Sequence, residues 1–181
     1  MNKILVIVGM CGVGKSVTCD YLETKGYNRV YFGEVTFEKM QEAGMEITPD
    51  NEKLMREKLR KEGGMGIYAT LNLPKIKEAL LKGDVIVESL YSWEELKIVS
   101  EEFKSMIKVI AIVADKSVRY KRLSVRPVRS FSESDAIKRD ISEIENSFKA
   151  GPIAYADYFI DNNGTILDLH KKIDEVIEKI K

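Results

Sequence analysis

The chain has 181 residues, 44% of them apolar and 32% charged, with Lys+Arg and Asp+Glu both at 29 and no net charge. That length suits one domain with a sizeable core, read as a single unit over 1–181. The charge balance leaves no global basic field to draw the chain to nucleic acid or an anionic membrane. Any anion must therefore be held by a local arrangement of groups.

Strand-like and helix-like segments alternate along the chain. "KILVIV" (3–8) reads as a buried strand and 15–25 as a helix, followed by a short strand "RVYF" (29–32) and a helix over 34–43. Thr48 and Pro49 supply a hydroxyl cap and a first-turn proline for a helix that the glycines of "RKEGG" stop. Residues 65–82 read as helical, with Pro74 opening a second part, and "DVIVE" (84–88) is a third strand. Ser92 and Glu95 form a capping box for the next helix.

"KVIAIVA" (108–114) is the fourth strand, with a helix over 116–125. Pro127 breaks that pattern, and Ser132 with Asp135 restarts it as a long helix to about 149. "YFID" (158–161) is the fifth strand, "NNG" a turn, and Thr165 with Asp168 caps the terminal helix. Strands that are apolar throughout and separated by helices predict a parallel sheet covered on both faces. Ligands of such sheets gather at the carboxyl ends of the strands.

No run approaches the roughly 18 apolar residues of a membrane helix, and no signal-type cleavage site follows "MNKILVIVG". Cys11 and Cys19 lie too close together to frame disulfides, so a cytoplasmic compartment is expected.

Gly9-Met-Cys-Gly12-Val13-Gly14-Lys15-Ser16 fits G-x-x-x-x-G-K-[ST] in full, after a strand and before a helix. The glycines let the backbone turn tightly and approach a phosphate. The loop amides and the helix start, through Val17, then present positive potential to it. Lys15 is expected to reach the β- and γ-phosphates of ATP, and Ser16 to supply a ligand to Mg²⁺. The chain lacks the N-K-x-D base reader of GTPases and the ATP-binding-cassette signature, which leaves a small kinase.

Arg119, Arg122 and Arg126 fall at i, i+3 and i+7, within about 60° on one helical face, and Arg129 follows the proline break. Arginines so placed after the fourth strand suit a lid over 119–139 that closes on the transferring phosphate. A helical insertion over 33–82 would then lie on the acceptor side.

"RLSVRPVRSFSESDAIKRDI" and "ADYFIDNNGTILDL" resemble dephospho-coenzyme A kinase. The whole layout, including "KLRKEGGMGIYA", is similar to an archaeal nucleotide-kinase-like family related to adenylate kinase. The resemblance implies a three-layer α/β/α P-loop fold with a five-stranded parallel sheet. It also implies that Arg126 and Arg139 contact donor phosphates or bridge donor and acceptor, with Arg122 beside them and Asn162 near the adenine. Glu34 would face the acceptor, and Glu88 would orient Mg²⁺ as a Walker-B-like carboxylate. Both stand where such relatives carry aspartate, and Tyr91 stands where they carry an arginine that clamps the acceptor phosphate. A tyrosine cannot supply that charge; Arg56 or Arg60 is the candidate replacement.

The expectation is an ATP- and Mg²⁺-dependent phosphotransferase acting on a small nucleotide-like or coenzyme-A-precursor acceptor. The alternative is a nucleotide-binding regulator without transfer chemistry. His170 and Trp93 are read as surface and packing residues.

Overall fold

A computed structural model describes residues 2–127 and 130–180; Arg129 lies outside the described residues. Five strands, β1 (Ile4–Val8), β2 (Asn28–Tyr31), β3 (Val85–Glu88), β4 (Ile107–Val113) and β5 (Tyr158–Asp161), form one sheet in the order β2-β3-β1-β4-β5. Every pairing is parallel. The strand bounds differ from the sequence reading by one residue at most, and the apolar runs of β1, β3 and β4 are also the buried ones.

The alternation along β1 shows why the whole strand is apolar. Ile4, Val6 and Val8 face one cluster, with Phe32, Met40, Ile76 and Leu96. Leu5 and Ile7 face the other, with Leu22, Leu169 and Ile173. Burial of each such side chain is worth about 1.5–3 kcal/mol. Helices α1 (Lys15–Thr24) and α9 (Ile166–Ile180) cover the second face. Helices α2 (Glu34–Glu42), α3 (Pro49–Gly63), α4 (Ile67–Leu80) and α5 (Trp93–Phe103) cover the first, giving three α/β/α layers.

The caps form as the sequence dictates. Thr48 accepts the Asn51 amide, and Ser92 and Glu95 close a reciprocal capping box. Thr165 and Asp168 exchange the same kind of bonds at α9. Trp93 packs edge-on against Tyr155, and His170 stacks on Tyr21 at 3.8 Å, joining α9 to α1.

Two expectations are corrected. Pro74 lies inside an unbroken α4, where Tyr68, Ala69, Asn72 and Ile76 are buried on both sides of it, so packing carries the helix through. The long helix expected to reach about 149 stops at Glu145: after α6 (Lys116–Ser124), α7 spans Glu133–Glu145 and a separate short α8 spans Ala150–Ala154. Phe148 between them adopts a left-handed φ of 51°, a conformation that ends a helix. The Lys149 amide bonds back to the Glu143 carbonyl at 3.1 Å, turning Lys149 inward. Among the described residues, no helix is long and apolar enough to cross a membrane.

Candidate active site

The loop between β1 and α1 carries its glycines where side chains do not fit. Gly14 caps α1 at φ 100°, and a Cβ there would lie 2.5 Å from the Asn162 amide nitrogen. Gly12, at φ 83°, lies under the carbonyl of Arg119. The loop and the strand ends border a cavity of about 640 Å³. Gly12, Gly14, Lys15, Ser16, Val17, Glu88, Arg122, Arg126 and Arg139 all line it.

Gly9, Val13, Asn162 and Glu34 do not line this cavity. Gly9 packs against the Ile112 carbonyl and Val13 is buried behind the loop. The Asn162 carboxamide, expected near an adenine, donates to the Val13 carbonyl at 2.7 Å, while the backbone carbonyl of Asn162 accepts from Arg122. Asn162 thereby ties the end of β5 to the loop. Glu34 lines a separate groove and pairs with Lys75 at 3.0 Å, because Lys75 on α4 draws both Glu34 and Glu38 outward.

Ser16 donates to Glu88 at 3.0 Å, so the P-loop hydroxyl and the β3 carboxylate meet. The other Glu88 oxygen is held by Arg29, which also binds Asp20 and Glu23. A hydroxyl beside one carboxylate fits Mg²⁺, which keeps most of its shell as phosphate oxygens and water. The residues present thus fit the expected metal and nucleotide. Lys15 donates to the Met10 carbonyl at 2.9 Å. Burial pushes its ammonium below the ordinary lysine value, and nearby Lys149 adds to that.

Arg119 belongs to the scaffold. Both of its terminal nitrogens bind the Asp140 carboxylate, at 2.8 and 2.6 Å, joining α6 to α7, and it also donates to the Cys11 carbonyl. Burial opposes the Asp140 charge, but the Arg119 bonds outweigh it and hold that carboxyl low. The i, i+3, i+7 spacing therefore mixes one bracing residue with two that line the cavity.

Three residues passed over in the sequence complete the lining. Glu143, 1% exposed, accepts the Cys11 amide at 2.9 Å and binds Arg139 at 3.0 Å and Lys149 at 2.7 Å. Lys149 is 4% exposed, with its ammonium 3.9 Å from the Tyr91 ring centroid. Arg29 was hidden by its place on a short strand. The only local signal for Glu143 was its i, i+4 spacing from Arg139. Among the described residues, six cationic side chains and two carboxylates line the cavity, an excess of positive charge suited to a polyphosphate. Cys11 is half-buried in this lining, whereas Cys19 is fully buried and its thiol is pushed well above the ordinary range by burial.

A second cavity of about 230 Å³ shares Tyr31, Ser89, Tyr91 and Arg139 with the first. Arg56, Arg60, Tyr68 and Glu95 line it. Arg60 Nε is buried with no hydrogen-bond partner, and its guanidinium lies 5.6 Å from the Tyr68 ring centroid. Glu95 is 1% exposed, and burial pushes its carboxyl up to about 7 despite the Tyr91 and Ser92 amides it accepts.

This arrangement, a P-loop at the end of a five-stranded parallel sheet, places the molecule among P-loop nucleotide-binding proteins. The chain belongs to the AAA domain family, whose profile matches residues 5–140. It also belongs to the UPF0200 proteins. It is 34% identical to UPF0200 protein PF1294 of Pyrococcus furiosus, covering 98% of this chain and 97% of that one. It is 31% identical to UPF0200 protein PH1008 of Pyrococcus horikoshii at the same coverage. The fold is shared with shikimate kinase from Bacteroides thetaiotaomicron, with a TM-score of 0.61 at 13% identity over 97% of this chain and 98% of that one. A sugar kinase from Janibacter superposes with a TM-score of 0.59 at 11% identity, over 98% and 95% of the two chains.

Proposed function

We propose that the protein transfers a phosphoryl group from Mg²⁺-bound ATP to a small anionic acceptor, nucleotide-like or a coenzyme-A precursor. The observation that carries this reading is the pair of adjoining cavities. The P-loop lines one, Arg56 and Arg60 line the other, and Arg139 with Tyr91 lines both.

In this reading the loop amides and Lys15 hold the donor phosphates, with Arg122, Arg126 and Arg139 adding charge around them. Mg²⁺, held through Ser16 and Glu88, would neutralise charge on the β- and γ-oxygens. Arg60, with a buried donor free, and Arg56, held by Glu52 at 3.3 Å, would bind the anionic group of the acceptor. Such binding would align the acceptor oxygen with the γ-phosphorus, and positioning supplies much of the rate in phosphoryl transfer. The helices over 33–82 and the arginine-bearing segment over 119–139 serve as acceptor wall and lid. The small-molecule kinases that share this fold support the reading at the level of a kinase.

A thermal-shift screen tests it, with nucleotides, nucleosides and dephospho-coenzyme A added to protein saturated with a non-hydrolysable ATP analogue and Mg²⁺. A ligand bound only by the folded chain raises the melting point. An acceptor that does so, and is then phosphorylated in a coupled assay, supports the kinase. Nucleotide binding without turnover on any acceptor favours a regulator.

A further inference from the structure

We propose that Lys149 is a catalytic residue of this transfer, its ammonium contacting the travelling phosphoryl group. The inference rests on the kinase reading above and adds a cation that no sequence motif marks.

Burying an ammonium is costly unless partners replace its water, and Lys149 has incomplete replacement. It is 4% exposed, and its ion-pair partner is Glu143 at 2.7 Å. That same Glu143 oxygen is shared with Arg139 at 3.0 Å, while the second oxygen accepts the P-loop amide of Cys11 at 2.9 Å. One carboxylate thus serves two cations and a loop N–H. The Tyr91 ring, 3.9 Å away, holds the ammonium by its face and takes no conventional hydrogen bond from it. An ammonium carries three donors, so this arrangement leaves donor capacity at a point lining the P-loop cavity.

The backbone is committed to the same end. Phe148 adopts φ 51° immediately before Lys149, a left-handed conformation that strains a non-glycine residue. The Lys149 amide bonds back to Glu143, and Lys149 caps the short α8. Burial lowers the ammoniums of both Lys15 and Lys149, and Lys149 lowers that of Lys15 further.

The step balances without a further reactant. The acceptor oxygen forms a bond to the γ-phosphorus as the bond to the β–γ bridging oxygen breaks, that electron pair leaving with the nucleoside diphosphate. Where the attacking group is a hydroxyl, its proton passes to water. Lys149 stays protonated and neutralises charge spread over the equatorial oxygens. Glu143 acts as a positioning residue that holds it in register.

Calorimetry with Mg²⁺–ADP, alone and with aluminium fluoride as a mimic of the travelling group, tests this. A transition-state mimic binds more tightly than the ground state. Lys149→Met is expected to lose at least tenfold of the tightening that aluminium fluoride gives the native chain, with affinity for ADP alone within twofold. Glu143→Gln, which loosens the hold on Lys149 but keeps its ammonium, is expected to lose only part of the tightening. Should Lys149→Met fail to fold once Glu143 loses this partner, Lys149→Met/Glu143→Gln removes both charges and is expected to show the same loss. A full aluminium fluoride effect in the folded single or double variant overturns the role of Lys149 and leaves the kinase reading standing. An equal loss for ADP alone overturns it too, as a purely structural effect. A native chain that binds no Mg²⁺–ADP overturns both.

Discussion

Eight consecutive residues, Gly9 to Ser16, bring the loop amides, an ammonium and a hydroxyl to one part of the large cavity, although Gly9 and Val13 themselves lie behind it. Tyr91, Arg122, Arg139, Glu143 and Lys149 reach the rest of its lining from the segment after β3, from α6, from α7 and from the cap of α8. The first part is shaped by the backbone of one contiguous stretch, which Arg119, Glu143 and Asn162 brace from outside. The second exists only while ion pairs and long-range bonds keep four segments together. Its stability and its chemistry are therefore coupled in a way that those of the loop are not.

The largest effect is expected where the two parts join. Arg119→Met removes a bidentate partner from Asp140 and a donor from the Cys11 carbonyl. Leaving that carboxylate buried without its arginine, beside the Tyr120 hydroxyl, is expected to cost about 3 kcal/mol in urea unfolding. Arg119→Met with Asp140→Leu should recover much of it, and failure to recover would show that the bond to Cys11 dominates.

Next comes Glu95, on the acceptor side. Its carboxyl is raised from 4.5 to about 7 in the folded chain, equivalent to about 3 kcal/mol. Because the folded state holds that proton more tightly, the contribution is full below 4.5 and is lost as pH rises through about 7. Glu95→Gln is expected to flatten the pH dependence of the urea midpoint between pH 5 and 8, an interval chosen to span this titration.

The acceptor arginines follow. Arg60→Met is expected to weaken acceptor binding about tenfold, or about 1.4 kcal/mol, with ATP affinity unchanged in calorimetry. Arg56→Met should do less, because Glu52 already engages Arg56. At the small end, Lys82→Ala removes an exposed pair with Glu78 on the far part of α4. It should change stability by less than about 0.5 kcal/mol and leave both binding steps alone.

The same contrast explains what could be read beforehand. The strands were legible because a central parallel strand must be apolar on both faces, and the caps because Ser92, Ser132 and Thr165 act within three residues. The P-loop was legible because its chemistry needs contiguous residues. Glu34 opens α2 just after β2, where a carboxylate could turn toward the acceptor, yet Lys75, 41 positions away, holds it in another groove. Asn162 was placed correctly at a strand end, but which way its carboxamide turns depends on the Val13 carbonyl, 149 positions away. Lys149 was invisible for a related reason. A lysine near a glycine and a proline reads as loop surface until the turn at Phe148 sends it inward.

The contrasting settings of the two cysteines make the native chain its own indicator of occupancy. Cys19 is sealed in the core with its thiol held protonated by burial, so a mild alkylating agent should reach Cys11 alone. Since Cys11 lies in the lining of the large cavity, the modification rate at that sulfur should report ligand entry without an added fluorophore, a tag or an engineered mutation.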